Sequence, residues 1–142
     1  MIGADTTFLV QLEAAELPAH SNALKLLQTE ILASEISLAI APQVIAEFLH
    51  VITDSRRFSK PLSMDEAIER ARYWWNCTEV TQIYPNNESL TQSLDWIKRH
   101  RLGRKRILDT QLAATYYTAG VTTILTSNAS DFSVFGFKIL AP

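Results

Sequence analysis

Short apolar runs alternate along this chain with longer stretches in which apolar residues recur at helical spacing. The runs at 1–4, 38–40, 79–84, 121–126 and 137–140 are typical of buried strands. Helices are predicted between them, over 6–15, 20–33, 42–52, 63–75, 88–101 and 107–119. Strands separated by helices form parallel βαβ units. The sequence therefore predicts an α/β fold, a three-layer sandwich with a mostly parallel central sheet.

Residues at the helix ends support these boundaries. Pro42 suits the first position of a helix, where its missing N–H is not needed. Ser63 and Glu66 have the spacing of a capping box, which predicts a helix start there. Gly103 and Gly120 follow the predicted ends of two further helices.

Length and composition place the chain among soluble globular proteins. Its 142 residues suit a single domain over 1–142, and a hydrophobic fraction of 47% suits a packed core. No apolar run approaches the roughly 18 to 20 residues that span a bilayer, and the first residues lack the basic segment of a signal peptide. Cys77 is the single cysteine, which excludes an internal disulfide and is expected of a protein in the reducing cytoplasm.

Four acidic residues lie where the predicted strands end or where the following helices begin. Asp5 follows the first strand directly, and Asp131 lies in the predicted turn after the fourth strand. Glu47 lies in the second turn of the helix after the second strand, at the border of its apolar face. Asp109 lies in the first turn of the last long helix. Open α/β sheets bind ligands at the carboxyl ends of their strands, so these side chains are expected to converge.

Each acid also has a structural explanation when it is taken alone. Asp5 could cap a helix, Asp109 could interact with the helix dipole, and Asp131 could form a turn. Glu47 could reach past the apolar border to water. Four such coincidences at one edge of a sheet are a poor explanation, so we favour a shared site.

Converged carboxylates would repel one another and would favour a bound cation. Two charges 4 Å apart repel by about 1 kcal/mol in water and by several times more at a partly buried edge. Such a group either has raised pKa values or binds a metal ion. Ligands that are all oxygen favour Mg²⁺ or Mn²⁺ over zinc, and His20, His50 and His100 have no second His or Cys at metal-binding spacing. A carboxylate-bound Mg²⁺ suits phosphate chemistry, because it activates water and neutralises phosphoryl oxygens.

Six of the 13 lysines and arginines fall within one nine-residue window, although the net charge is only −2. They are Lys98, Arg99, Arg101, Arg104, Lys105 and Arg106. Such a cluster can be a solvated helix end, since cations are favoured near helix C-termini. It can also contact the phosphates of a nucleic acid. Its position just before Asp109 favours the second interpretation.

Four segments of the chain resemble, in order, the four motifs of PIN domains. They are Ala4-Asp5-Thr6-Thr7-Phe8-Leu9-Val10, Ala41-Pro42-Gln43-Val44-Ile45-Ala46-Glu47-Phe48, Ile107-Leu108-Asp109-Thr110-Gln111-Leu112-Ala113-Ala114 and Thr126-Ser127-Asn128-Ala129-Ser130-Asp131-Phe132. The most similar subgroup is the VapC-like toxins of bacterial toxin–antitoxin modules. The resemblance extends over essentially the whole chain and rests on the set of four motifs, since no single motif is specific. It implies a PIN-like fold and a Mg²⁺-dependent endoribonuclease.

The resemblance also implies roles for the four acids. Asp5 and Asp109 would be direct ligands of Mg²⁺, or of Mn²⁺ as a substitute. Glu47 and Asp131 would bind a metal or orient the attacking water through hydrogen bonds. These four residues would then be the catalytic ones, hydrolysing RNA phosphodiester bonds with metal-activated water.

Further residues would support this site. Thr6 and Asn128 would lie beside the metal as polar supports. Thr7 occupies a position where the family often has Ser or Asn, so the hydrogen bonding there stays open. The basic cluster is denser than the motif requires, and we interpret its end as a contact to the RNA backbone, made by Arg104, Lys105 and Arg106.

The resemblance implies partners as well. These are an RNA substrate, a second copy of the chain in a homodimer, and a cognate antitoxin that blocks the site. Candidate apolar residues facing a partner are Phe58, Trp74, Trp75 and Trp96, although packing in the core is the favoured interpretation of each.

Two other functions stay open at this point. The first is a Mg²⁺-binding phosphotransfer enzyme or receiver-like protein. A dehalogenase-type phosphatase would need an acid at the position of Thr7, however, and a receiver would need adjacent acids at the end of its first strand. The second is a PIN-like module that binds without catalysis, for which four clustered carboxylates have no evident use.

Overall fold

The computed structural model describes residues 1–142 and contains one five-stranded sheet whose strands are all parallel. The strands are β1 (Ile2–Ala4), β2 (Leu38–Ile40), β3 (Val80–Gln82), β4 (Thr123–Leu125) and β5 (Lys138–Leu140). The predicted α/β fold is confirmed. The sheet is entirely parallel, where the sequence predicted a mostly parallel one.

Seven α-helices connect and flank the strands. They are α1 (Thr6–Glu13), α2 (His20–Leu26), α3 (Pro42–Ile52), α4 (Met64–Asn76), α5 (Asn87–Arg99), α6 (Ile107–Thr118) and α7 (Ala129–Ser133). A π-helical turn over Leu27–Leu32 continues α2, so the single helix predicted over 20–33 changes its hydrogen bonding part-way. A 3₁₀ turn over Arg104–Arg106 leads into α6. The turn predicted around Asp131 is a short helix, α7.

The helices cover both faces of the sheet. One group comprises α1, α2, α3 and α4, in which α1 packs on α2 and α3, and α3 packs on α4. In the other group α6 packs on both α5 and α7. The central strands β1 and β2 are buried along their whole length, as expected for parallel strands covered on both sides. None of the helices combines the length and the apolar character that crossing a bilayer requires.

One buried tyrosine ties the second helical layer to the centre of the sheet. The hydroxyl of Tyr116, on α6, lies 2.7 Å from the carbonyl oxygen of Ala4 and 3.0 Å from that of Ala39. Burial raises the pKa of Tyr116, so its hydroxyl stays a donor. The ring lies directly over Gly3, where a Cβ atom would be 2.8 Å from the ring carbon Cδ2. Close packing of α6 on β1 therefore requires glycine at this position.

A second set of contacts fixes α1 to α4. Arg70 donates two hydrogen bonds to the carboxylate of Glu13, at 2.8 and 2.7 Å, and the indole nitrogen of Trp74 donates a third at 2.7 Å. Trp74 is buried, as are Phe58 and Trp96, so the favoured interpretation of these three as core residues is confirmed. Their apolar surface is used in the core. Trp75 is partly buried and lines a groove between α3 and α4.

The order of the strands creates a switch point beside β1. The order across the sheet is β3-β2-β1-β4-β5, so the chain moves outward from β1 to β3 and then crosses back to β4. Crevices that bind ligands form at such a point, outside the carboxyl ends of the two strands. The segments that leave β1 and β4 carry Asp5 and Asp131, respectively.

Candidate functional site

Asp5 is buried and is held by three donors. It directly follows β1 and caps α1, where its Oδ1 accepts a hydrogen bond from the backbone N–H of Thr6 at 2.7 Å. Its Oδ2 accepts hydrogen bonds from the hydroxyls of Thr126 at 2.8 Å and Thr7 at 2.9 Å. Burial raises the pKa of Asp5, and these hydrogen bonds to the charged form oppose that rise. The carboxylate is therefore fixed in position.

Glu47 reaches the same edge from α3. The hydroxyl of Thr6 donates to its Oε2 at 2.6 Å, and this bond joins the first turn of α1 to the second turn of α3. The side chain is partly buried and stands beside the fully buried Val44 and Phe48. The polar support predicted for Thr6 thus has a specific form. Its backbone binds Asp5 and its side chain binds Glu47.

Asp109 is the acid whose pKa is raised by the charges of all three others. It lies in the first turn of α6, and its pKa is raised to about 6. Burial is the largest cause, followed by the negative charges of Asp131, Asp5 and Glu47, whereas Arg106 opposes the rise. The four acids therefore share one electrostatic environment, although they come from four separate elements.

The start of α6 is fixed from α3. The side-chain amide of Gln43 donates to the carbonyl oxygen of Leu108 at 3.0 Å. The hydroxyl of Thr110 donates to the carbonyl oxygen of Arg106 at 2.7 Å. These bonds hold the backbone that leads into Asp109, so rotation of its own side chain is the simplest movement open to its carboxylate.

Asp131 lies in α7 and is paired with Arg106. The Nε atom of Arg106 is 3.5 Å from Oδ1 of Asp131, and its Nη2 donates to the carbonyl oxygens of Asp131 at 2.9 Å and Ser130 at 3.2 Å. Arg106 was predicted to contact RNA, but it is already bound to α7. Asn128, predicted as a polar support, donates its backbone N–H to the hydroxyl of Thr126 at 2.9 Å.

Thr126 is a site residue that the sequence interpretation missed. It is fully buried at the end of β4, where its hydroxyl donates to Asp5 and accepts from the backbone of Asn128. Thr7, whose hydrogen bonding was open, donates to Asp5 and accepts from the backbone N–H of Ser127 at 3.1 Å. Thr126 could have been predicted as a site residue because it directly follows a strand and begins the segment that resembles the fourth PIN motif.

The basic cluster divides into two parts in the structure. Lys98 and Arg99 lie in the last turn of α5, where cations stabilise a helix end. Arg104 and Lys105 are exposed on the 3₁₀ turn, immediately before the helix that carries Asp109. The second pair therefore lies close to the acidic edge.

The donors at this edge suit a hard divalent cation. Carboxylate and hydroxyl oxygens surround it, and a cation would relieve the repulsion that raises the pKa of Asp109. As the side chains stand, however, no three of the His, Cys, Asp and Glu residues are grouped closely enough to hold one ion. Binding would therefore require rotation of carboxylates around the fixed Asp5.

Comparisons with known proteins find relatives with the same fold. No protein-family model matches the chain. Ribonuclease VapC24 of Mycobacterium tuberculosis is 25% identical over 144 residues, covering 97% of this chain and 93% of the relative. The crystal structure of M. tuberculosis VapC20, described as a toxin that cleaves the sarcin-ricin loop, superposes with a TM-score of 0.73 at 22% identity and covers 96% of both chains. The chain therefore has a PIN-like fold and is similar in sequence to a VapC ribonuclease over nearly its whole length.

Other solved structures share this fold, among them a toxin–antitoxin complex from Klebsiella pneumoniae. VapBC2 of Rickettsia felis, bound to a DNA fragment from its promoter, has a TM-score of 0.66 at 16% identity and covers 99% of this chain and 98% of the other. FitAcB of Neisseria gonorrhoeae has a TM-score of 0.68 at 14% identity, with coverage of 99% and 96%. The PIN-domain resemblance is confirmed, and the four acids of this chain occupy the carboxyl edge of that fold.

Proposed function

We propose that this PIN-domain protein is a Mg²⁺- or Mn²⁺-dependent endoribonuclease and the toxin of a toxin–antitoxin pair. The observation that carries the proposal is the electrostatic coupling of Asp109 to Asp5, Glu47 and Asp131 at the switch point of the sheet. Several buried or half-buried carboxylates close together repel one another, and a bound cation would relieve that repulsion. The ribonuclease relative, which matches nearly the whole chain, supports RNA as the substrate.

Asp5 and Asp109 are the proposed metal ligands, and Glu47 and Asp131 the residues that complete the site. Asp5 is already fixed by three donors, so it provides a rigid point of attachment. Asp109 has a movable side chain on a fixed backbone. A divalent ion bound there would lower the pKa of water and neutralise the charge that develops on the phosphoryl oxygens.

The acidic residues can also accept the proton that the attacking water releases during hydrolysis. Water adds to phosphorus while the P–O ester bond breaks, and the proton of the water passes to a carboxylate. Glu47 is suited to accept it because Thr6 engages Oε2 and leaves Oε1 available. Asp131 forms an ion pair with Arg106, whose Nε lies 3.5 Å from its Oδ1. The leaving oxygen takes its proton from solvent.

The RNA backbone would lie along the exposed cations of the 3₁₀ turn. Arg104 and Lys105 are free to contact phosphates, whereas Arg106 is bound to α7. Phosphate contacts of this kind position a strand without reading its sequence. They would place the strand beside Asp109.

A cognate antitoxin, a second copy of this chain and a cytoplasmic location complete the proposal. The toxin–antitoxin complexes with the same fold support the antitoxin. A groove of about 290 Å³ between α3 and α4 offers apolar walls to a partner. Its lining includes Ile45, Leu49, Ile68 and Trp75.

Induced expression in a bacterial host tests the assignment. Cells making the wild-type chain should stop growing and accumulate RNA fragments with new 5′ ends at defined positions. Asp5→Asn should abolish both effects. Asp65→Asn, which changes an exposed acid in the first turn of α4, should abolish neither. Growth arrest with the same RNA ends in the Asp5→Asn strain would exclude a nuclease site at Asp5.

A further inference from the structure

A cavity of about 370 Å³ opens next to the acidic edge, between α1, the end of α3 and the loop that follows α3. This volume is within the roughly 300–1,000 Å³ of sites that bind small ligands. The residues that matter for its properties are Thr6, Thr7, Gln11, Val51, Arg57 and Phe58. We call it the α1–α3 cavity.

The α1–α3 cavity is continuous with the carboxylates. Thr6 and Thr7 line it, and their hydroxyls bind Glu47 at 2.6 Å and Asp5 at 2.9 Å, respectively. A group bound in the cavity would therefore be separated from the acids by a single layer of side chains.

Gln11 lines this cavity and carries an acceptor that has no partner. Its Nε2 donates to the hydroxyl of Ser127 at 2.7 Å, but its Oε1 is buried and accepts no hydrogen bond. Buried polar atoms without a partner are uncommon in folded proteins. Rotation of the side chain towards the cavity would let a ligand N–H group satisfy the oxygen.

The remaining walls suit a flat, partly charged ligand. Val51 and Phe58 provide apolar surface, and Phe58 is buried. The guanidinium of Arg57 stands at the exposed side, with 60% of its side chain accessible and its Nε 3.5 Å from Asp54. Bases of single-stranded RNA bind by stacking on aromatic or guanidinium planes and by hydrogen bonds at their edges.

We propose that the α1–α3 cavity binds one nucleobase of the RNA strand, next to the phosphate that is cleaved. An N–H group at the edge of the base donates to Oε1 of Gln11, the ring packs against Val51 and Phe58, and Arg57 contacts the adjoining phosphate or stacks on the base. This rests on the proposed function and adds a sequence preference to it. A peptide of a protein partner is the alternative occupant. The contact with the carboxylates and the cation at the opposite end favour RNA.

Two variants and a control test the inference. Gln11→Leu removes the acceptor, and Val51→Trp fills the cavity. Leu24→Trp introduces the same side chain at an exposed position of α2 and serves as the matched control. Thermal unfolding checks that each variant is folded, and Gln11→Leu decides the question if Val51→Trp is not.

A randomised single-stranded RNA pool provides the readout in two assays. In the first, Mg²⁺ is present and the cut ends are sequenced. In the second, EDTA is present and the RNA bound by the protein is sequenced. The wild type and Leu24→Trp should favour one base at a fixed position. Both cavity variants should reduce that preference about tenfold, the size of one lost contact.

The outcomes separate this inference from the proposed function. A wild type without a base preference, or cavity variants that keep it, would overturn the inference. Cavity variants that keep the base preference but lose binding to a protein partner would show that a peptide, and not a nucleobase, occupies the cavity. A cavity-dependent preference in the binding assay without cleavage would support the inference and contradict the proposed function.

Discussion

Thr126 donates its hydroxyl hydrogen to Oδ2 of Asp5 over 2.8 Å, and this bond joins the carboxyl ends of β1 and β4. The backbone N–H of Asp5 also donates to the carbonyl oxygen of Leu125 at 3.0 Å. The acid is thus oriented by the strand across the switch point of the sheet. The fold therefore sets the position of the Asp5 carboxylate.

Replacing Thr126 should therefore impair the site without unfolding the protein. Thr126→Val keeps the shape of the side chain but loses the hydrogen bond to Asp5. We expect RNA cleavage and Mg²⁺ affinity to fall by about 10- to 100-fold, as for other groups that orient a metal ligand. Thr126→Ser keeps the hydroxyl and should restore most of both. Equal activity of the Val and Ser variants would show that the bond is unimportant.

The raised pKa of Asp109 predicts an unusual pH dependence for the metal-free protein. Its carboxyl binds a proton more tightly in the folded state, where the pKa is about 6, than in the unfolded chain, where the pKa has its ordinary value of 3.8. This group's contribution to stability is therefore present below pH 4 and is lost as pH rises to about 6.

Asp109→Asn removes that titration and the repulsion from the other acids. In EDTA, the variant should unfold at a higher temperature than the wild type at pH 7.5, and the difference should shrink towards pH 4.5. Thermal unfolding across this range measures it. A constant difference between the two proteins at all pH values would contradict the coupling of the acids.

The contact between Gly3 and Tyr116 makes a prediction about stability alone. Gly3→Ala places a Cβ atom 2.8 Å from the Tyr116 ring, which is buried and has no room to move. We expect a loss of about 1–3 kcal/mol in the free energy of unfolding, measured with urea. Gly103→Ala is the control, since its Cβ meets nothing within 4 Å and its φ of −83° suits alanine. A similar loss in both variants would rule out the ring contact as the cause.

Neutralising Arg104 and Lys105 should weaken RNA binding in a salt-dependent way. For two lost phosphate contacts on single-stranded RNA, the slope of log K against log salt should fall by about 1.4. Arg106 is left intact because it holds α7.

The double variant Lys25→Gln and Arg72→Gln removes the same charge from α2 and α4. These helices lead into the amino ends of β2 and β3, at the edge of the sheet opposite the acids. This control should leave the slope unchanged. An unchanged slope in the Arg104 and Lys105 variant would remove the 3₁₀ turn from the RNA surface.

The sequence predicted the order of strands and long helices because each carries a clear hydrophobic period or an end signal. Ser63 and Glu66 form the expected capping box, and Pro42 begins α3. The π-helical turn in Leu27–Leu32 was not predicted, since its apolar spacing resembles that of an α-helix. The five-residue α7 is too short to show a period.

The tertiary contacts of the site were harder to predict. The acids could be located from the strand ends, but the partners of Asp5 depend on the crossing that places β4 beside β1. Thr126 was missed for that reason. Phe58, Trp74 and Trp96 were considered as partner-facing because their size suits an interface, yet the same size fills this core.

RNA cleavage by the purified protein tests the central claim most directly. The wild type and Asp65→Asn should cleave single-stranded RNA in Mg²⁺ and stop when EDTA is added, while Asp5→Asn and Asp109→Asn should show only background cleavage although they remain folded. Cleavage by either of these two variants at the wild-type rate, or cleavage by the wild type that continues in EDTA, would contradict a metal-dependent nuclease at this edge of the sheet.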